Sequence, residues 1–357
     1  MSDPALTATS WLLRIPEVFA PQADEILAGL GAVPQKKLGA DYHLVRLEEP
    51  ERLKDSEWAK FISWRLPVHH AWPCNPQKME GFVEKAAQGI FKKFGQHAPQ
   101  TLLAGPLQTA AGAHPFYKHL ATNLRGRTLQ LFPPLPAAAE VESQDPELPT
   151  LFCLVGKEGL FCGLVSPREA NGFYPGGTKF ISQSSGISRA GAKIAEALHY
   201  LKLHREIPAE GARWLELGAS PGGMSSELLA RGYRVTAVDK ADLDPKLKGA
   251  AGLEFIRMDV DAFRLAENTR FEALLSDMNG DPRGALRQVV RLSNNLVSGG
   301  LIVFTIKSAG AETPREMIEL SRAALAYARA SGLEPIAETH LTYNRQEFTM
   351  FFERPRD

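Results

Sequence analysis

From Ser188 to the end of the chain, apolar runs of strand length alternate with stretches of helical period, and this alternation narrows the possible folds more than any other feature. A helix expected over Ser188–Leu203 precedes an apolar run at Arg213–Leu217, a helix at Gly222–Arg231 and a second run at Arg234–Val238. Further strands are expected at Leu253–Ile256, Ala273–Ser276 and Leu301–Ile306, with helices at Pro282–Leu296 and Pro314–Ala330. Strands joined through helices have to run largely parallel, because each crossover returns the chain to the same edge of the sheet. Two extended runs, Pro335–Leu341 and Glu347–Phe352, follow with a short turn at Tyr343–Arg345 between them, so the last strand is expected to be antiparallel. The predicted fold class of this half is therefore α/β, a doubly wound sheet with one reversed strand.

The preceding region reads as mixed α and β with short elements. Trp11–Ile15 and Tyr42–Leu47 are strand-like and flank a helical stretch at Gln22–Leu30; Glu80–Phe94 and His114–Leu124 are further helix candidates. The segment Pro133–Pro149 reads PPLPAAAEVESQDPELP, an exposed loop or linker. After it, Leu151–Val155 and Leu160–Val165 form an apolar hairpin about Gly156–Gly159, and the Gly- and Pro-rich Glu169–Gln183 reads as an irregular connector. A chain of 357 residues has room for two or three folded units. The expected division is an α+β subdomain over residues 1–65, a second over 66–170 and the α/β domain over 171–357.

Composition excludes several classes. With 44% hydrophobic and 23% charged residues the chain can bury a sizeable core, yet its longest apolar runs fall far short of a membrane span. The N-terminus lacks a secretory pattern, and Cys74, Cys153 and Cys162 are too few and too widely spaced for a disulfide framework or a tetrahedral zinc site. A cytoplasmic protein with no metal and no membrane partner is the expectation. Net charge is zero, but between Lys85 and Ala139 there is no Asp or Glu, whereas Lys85, Lys92, Lys93, Lys118, Arg125 and Arg127 all fall there, with His97, His114 and His119. Such a local basic field can hold phosphates. A solvated surface that happens to lack acids is the alternative.

The most specific local motif is Trp214-Leu-Glu-Leu-Gly-Ala-Ser-Pro-Gly-Gly223, an apolar strand running into a Gly-rich turn that opens a helix. Backbone can approach a ligand closely at Gly218, Gly222 and Gly223, while Ala219, Ser220 and Pro221 replace the turn of a dinucleotide fingerprint. A nucleoside with an amino-acid tail is thus favoured over a pyrophosphate. Asp239 falls at the tip of the second strand, where a carboxylate can accept both hydroxyls of a ribose. Asp259 follows the third strand and could meet an adenine amino group, an ordinary surface-loop acid being the alternative. Four more residues fall at converging strand ends or on the helix before them: Lys193, Asp277, Lys307 and Glu347. A lysine directly after a run as apolar as Leu301–Ile306 is unusual. Lys193 and Glu347 could otherwise be ordinary surface ion pairs.

With these residues in place the chain resembles the FtsJ type of ribose 2′-O-methyltransferases, which carry a Lys-Asp-Lys-Glu tetrad in this chain order and a strand–GxxPGG loop. The resemblance places the tetrad on Lys193, Asp277, Lys307 and Glu347. It places S-adenosylmethionine on Glu216, Gly218, Ala219, Ser220, Pro221, Gly222, Gly223, Met224, Asp239, Asp259 and Asp277. Met224 stands where the family often has Trp. Phe161-Cys-Gly-Leu, Gly172-Phe-Tyr-Pro-Gly and the tail Tyr343-Asn-Arg-Gln-Glu-Phe-Thr are similar to the RlmM-like branch, which modifies a cytidine ribose of large-subunit ribosomal RNA. That resemblance implies a Rossmann-like class I methyltransferase sheet preceded by ferredoxin-like and THUMP-like modules, with RNA as partner. A ribose hydroxyl is a poor nucleophile, so Lys307 is expected to act as the base or to orient the hydroxyl; burial and Lys193 would lower its pKa, Asp277 would oppose the drop, and the sequence leaves open which wins. A methyltransferase with a tRNA, small-molecule or protein acceptor, and a non-catalytic RNA-binding protein on the same fold, are the competing readings. No G-x-S-x-G elbow, H-E-x-x-H or Walker loop is present, and His69–His70 reads as structural.

Overall fold

The computed structural model describes residues 6–73, 78–107, 114–136, 141–177, 187–308 and 310–356. Cys74 and the end of the expected connector, residues 178–183, lie outside them. The chain forms two compact units, Met1–Phe180 and Ile181–Asp357.

The first unit holds two four-stranded sheets. One is built from β1 (Ser10–Arg14), β2 (Val33–Leu38), β3 (Tyr42–Arg46) and β4 (Trp64–Pro67), in the order β2-β3-β1-β4 with every neighbour antiparallel. Helix α1 (Ala23–Gly29) links β1 to β2, and α2 (Arg52–Asp55) lies between β3 and β4, which is the ferredoxin-like βαββαβ arrangement. The other joins β5 (His70–Trp72), β6 (Thr101–Pro106), β7 (Thr150–Gly156) and β8 (Gly159–Val165) in the order β5-β8-β7-β6, with β6 and β7 parallel. Helices α3 (Met79–Phe94) and α4 (Pro115–Leu129) pack on this sheet, and a short α5 (Pro167–Ala170) follows β8. α4 runs five residues past the expected Leu124; its start is fixed by His114, whose Nδ1 accepts from Phe116 N at 3.2 Å.

Every residue of β7 is buried. Leu151, Cys153 and Val155 enter the core made with Ala86, Ile90 and Leu120 of the two helices, while Phe152 and Leu154 join Leu12, Tyr42 and Trp64 of the first sheet. Successive side chains point to opposite faces, so a strand covered on both sides reads as a continuous apolar run. Cys153 and Cys162, opposite one another across β7 and β8, are free thiols buried in that packing.

The second unit is a seven-stranded sheet in the order β11-β10-β9-β12-β13-β15-β14. Its strands are β9 (Arg213–Leu217), β10 (Arg234–Asp239), β11 (Leu253–Arg257), β12 (Phe271–Ser276), β13 (Leu296–Lys307), β14 (Glu334–Thr339) and β15 (Glu347–Glu353). The first five are parallel, and β15 is antiparallel to both β13 and β14, as expected for the reversed last strand. Four helices complete it: α6 (Ala190–Leu201), α7 (Gly223–Ala230), α8 (Pro282–Ser293) and α9 (Pro314–Ala330). α8 packs against β12, β13 and α9, and α6 against α7. Asp281 caps α8, accepting from Arg283 N and Gly284 N, with Pro282 in the first turn. β13 begins five residues before the expected Leu301, because Leu296 already pairs with Phe271 ahead of a register shift. Among the described residues no helix is long and apolar enough to cross a membrane.

Phe152 is fully buried and meets Trp64 edge to face at 5.8 Å. Phe152→Ala should cost about 3–5 kcal/mol, whereas Val33→Ala on the exposed edge of β2 should cost less than about 0.5 kcal/mol. Denaturant midpoints of the full chain measure both. Equal midpoints would show that β7 does not tie the two sheets together.

Candidate active site

Register brings the first two charges together. β13 and β15 pair with Lys307 directly opposite Glu347, so the ladder alone makes their side chains neighbours. On the other side of β13, β12 ends with Ser276 opposite Phe304, and Asp277 is the next residue. Lys193 lies in the first turn of α6.

Lys307 Nζ donates to Asp277 Oδ1 at 2.7 Å and to Glu347 Oε2 at 2.9 Å. Lys193 Nζ donates to Glu347 Oε1 at 2.6 Å and to the two Asp277 oxygens at 3.2 and 3.3 Å. Each lysine therefore bridges the same two carboxylates in a ring of alternating charge. The Lys193 side chain is 8% exposed and that of Lys307 20%, so an acceptor reaches Lys307 more readily.

The sequence left open whether burial or Asp277 decides the Lys307 pKa. Burial pushes it down and is the largest single influence, but the charges and hydrogen bonds of Asp277 and Glu347 together outweigh burial, and the ammonium is held above its usual range. The sequence could not show that both carboxylates touch Nζ.

A residue missed from the sequence fixes α6 against the last strands. Glu196, one turn beyond Lys193 and buried, accepts from Thr342 N at 3.0 and 2.9 Å and from Thr342 Oγ1 at 2.8 Å. Thr342 precedes β15, so this tie docks the helix that carries Lys193 beside the start of the strand that carries Glu347. A buried acid on a helical face next to a buried lysine was the available signal.

Beside the tetrad, with Asp277 in its wall, lies a cleft of about 590 Å³. Of the residues expected at the cofactor, Glu216, Gly218, Ala219, Ser220, Pro221, Gly223, Met224, Asp239, Asp259 and Asp277 line it, and Gly222 does not. Gly222 instead caps α7 at φ 99°, where an added Cβ would lie 2.3 Å from Leu247. Gly218, at φ 76°, packs against the residue after Asp277: a Cβ there would come within 3.0 Å of the Met278 backbone. The Ser220–Pro221 peptide is cis. Asp239 holds the loop from below, Oδ2 accepting from Ser220 N at 2.9 Å and Oδ1 from Ala241 N at 2.8 Å. Each oxygen keeps a free lone pair toward the cleft. Asp259 is exposed and accepts from Asp261 N at 2.9 Å. Val260, Met278, Asp281 and Gln288 also line the cleft without having been anticipated; the first two follow nominated strand-end acids, Asp281 caps α8 and Gln288 lies midway along it, positions that only the assembled sheet edge brings together.

In the first unit, Lys85, Lys92, Lys93, Lys118 and Arg125 are exposed on α3 and α4. Arg127 differs. Glu84, one residue before the acid-free stretch begins, accepts from its Nε at 2.7 Å and from its second amine nitrogen at 3.1 Å. The guanidinium is engaged within the protein rather than presented.

Burial pushes the Glu216 carboxyl up to about 8; the Ser225 hydroxyl, at 2.6 Å, lowers it, and the Asp277 and Asp239 charges raise it. Glu216 is thus protonated in the fold at neutral pH but ionised in the unfolded chain. Its contribution to stability is complete below the ordinary carboxyl range and is lost as pH rises toward about 8. Glu216→Gln has no such proton to lose. Its advantage over wild type should grow, to on the order of a few kcal/mol, between about pH 5 and pH 8 and stay constant above. Melting curves of the ligand-free chain measure the gain, and a difference independent of pH would show that the carboxylate is ionised in the fold.

The model of the FtsJ-like methyltransferase family matches residues 187–331. A Halorhodospira halophila protein described as ribosomal RNA large subunit methyltransferase M is 31% identical over 303 residues, 82% of this chain and 86% of its own. A Marinobacter nauticus protein of the same description is 27% identical over 183 residues, 48% of either chain. Among solved structures, a Methanococcus jannaschii fibrillarin pre-rRNA processing protein shares 13% identity, covers 62% of this chain and 87% of that one, and has a TM-score of 0.37. The match at 31% identity is long enough to run through both units, and the chain belongs to the FtsJ-like methyltransferases, in the group of the ribosomal RNA large subunit methyltransferase M proteins.

Proposed function

We propose that the chain is an S-adenosylmethionine-dependent ribose 2′-O-methyltransferase of large-subunit ribosomal RNA, working in the cytoplasm where that RNA is made. The observation that carries this reading is the double membership of Asp277, which lines the cleft and contacts both lysines of the charged ring. An acceptor oxygen held by the ring is then next to whatever the cleft holds.

The cleft suits the cofactor in size and charge. Its volume falls in the ~300–1,000 Å³ range of small-molecule sites. Asp239, Asp259, Asp261, Asp277 and Asp281 line it against Lys240, with Glu216 neutral beside them, a field that favours a ligand bearing a sulfonium and an ammonium. The loop from Gly218 to Met224 would run beside the amino-acid tail, Asp239 would accept the ribose hydroxyls, and Asp259 would meet the adenine amino group. When bound, S-adenosylmethionine supplies an already activated methyl group, which leaves this chain the task of positioning and deprotonating a poor nucleophile.

Lys307 takes that task. Its ammonium cannot accept a proton, so it first releases its own to solvent, and the free amine then removes the hydroxyl proton as the ribose oxygen gains the methyl. Asp277 and Glu347 aim Nζ, and Lys193 holds those carboxylates when Lys307 is neutral. The accepting nucleotide enters unpaired, because a ribose within a duplex cannot reach a recessed ring. The exposed Lys85, Lys92, Lys93, Lys118 and Arg125 of the first unit, read as a THUMP-like docking module, hold phosphates and set register without reading sequence.

Two measurements test this reading. Methyl transfer from labelled cofactor to total RNA should fall about 10²–10⁴-fold in Lys307→Ala, with cofactor affinity by calorimetry within about twofold of wild type; substantial residual turnover removes Lys307 from its role. Incorporation should map to one large-subunit ribose. Single-turnover rate should also rise roughly tenfold per pH unit through neutrality, because the two carboxylates keep Lys307 protonated at rest. A flat profile identifies Lys307 as an orienting ammonium rather than the base.

A further inference from the structure

Helix α8 is a wall shared by two cavities. Asp281, Gly284, Ala285 and Gln288 face the cofactor cleft. The neighbouring stripe faces a second cavity of about 160 Å³, between α8 and α9, that none of the residues discussed so far explains. Its floor is apolar, with Leu286, Ala324 and Ile306. Ile306 immediately precedes Lys307 in β13, so the floor is continuous with the strand that carries the proposed base. One wall is Tyr327, whose ring is 41% exposed where most large apolar side chains are covered. Two exposed arginines, Arg283 and Arg287, stand at the rim. Arg287 has only a distant carboxylate, Asp281 at 3.9 Å.

Three properties define what this cavity can take. Its volume lies below the range of sites that enclose a whole small molecule, so it suits one ring system of a larger ligand. An exposed aromatic face over an aliphatic floor suits a planar ring. No acid lines it, and the two guanidinium groups at its edge complement an anion attached to that ring. A planar base joined to a phosphate meets all three conditions, and base stacking on an aromatic ring beside arginines is how proteins grip single-stranded nucleic acid.

We propose that the α8–α9 cavity is a nucleobase subsite for single-stranded RNA: a base next to the accepting nucleotide stacks on Tyr327 while its phosphate is held by Arg283 and Arg287. This rests on the RNA methyltransferase reading above. It extends that reading by giving the catalytic unit its own grip on the strand, one helix away from the cofactor. Because the contacts are stacking and phosphate pairing, the subsite fixes which ribose sits at Lys307 and is tolerant of base identity.

The test uses the full chain and protein-free large-subunit ribosomal RNA lacking the modification. Tyr327→Ala should weaken RNA binding about five- to hundred-fold, the range set by loss of one base–aromatic stack, and leave S-adenosylmethionine affinity unchanged. Tyr327→Phe should restore RNA affinity to within about twofold, since the ring and not the hydroxyl does the stacking. Replacing Arg283 and Arg287 by Ala should reduce the slope of log affinity against log salt by about one per arginine. Equal RNA affinity in wild type and Tyr327→Ala overturns the subsite while methyl transfer by wild type keeps the functional reading. Loss in Tyr327→Ala without rescue by Phe also overturns it, because the residue is then structural. No methyl transfer to RNA by wild type overturns both.

Discussion

Two ammonium groups can share a recess only if anions separate them, and this constraint governs the catalytic unit. Taking one charge out of water costs several kcal/mol even after relaxation, and an unpaired second like charge would add to it. The ring Lys193–Asp277–Lys307–Glu347 meets the cost by alternation: four charges sum to zero, and each ammonium meets both carboxylates. Removing any member leaves an uncompensated charge in the recess. The ring accordingly requires β12, β13, β15 and α6 to deliver their side chains to one point, and the reversed direction of β15 is what sets Glu347 opposite Lys307. With a parallel last strand, the residue opposite the end of β13 would be the end of that strand rather than its start.

The same constraint explains which parts of this unit were legible in the sequence. β9 and β10 lie inside the sheet, and their apolar runs stand out against polar turns. Lys307 was conspicuous because a charge directly after a run with five apolar residues in six has to be used or neutralised. Its partners could be nominated as strand-end acids, since strand ends at one edge of a parallel sheet converge. Distances could not be read. The direction of the Lys307 shift turns on two contacts of 2.7 and 2.9 Å, and sequence order contains neither.

What stayed hidden has particular physical causes. β2 is an edge strand with Pro34 near its start and five of six residues exposed, so it has no buried face to imprint a period. β4 spans only four residues, too short for any pattern to repeat. β6 ends in Gly105 and Pro106, which read as turn residues although Pro106 pairs with Val155. Arg127 counted among free cations because its partner Glu84 lies just outside the stretch that made the region look acid-free. Glu196 carried no motif, and its role follows only once α6 lies against the turn before β15.

Charge in the catalytic unit is segregated between two cavities. A cleft that favours a cationic cofactor must be acidic, and an acidic cleft repels the phosphates of any RNA brought to it. Both demands are met if charge is segregated. Carboxylates gather on one cleft at the sheet edge, whereas Arg283 and Arg287, on the neighbouring stripe of α8, line a different cavity that no acid lines. A polyanion gripped at Arg283 and Arg287, as proposed above, would stay off the cleft, and only a ribose, the neutral part of a nucleotide, would have to enter it. The ring suits that last approach, since its summed charge is zero and it neither attracts phosphate nor repels a hydroxyl. Segregation of this kind also favours an unpaired acceptor. A single strand can turn its ribose inward while its phosphates stay on basic surface, and a duplex, with phosphates on both sides of every ribose, cannot.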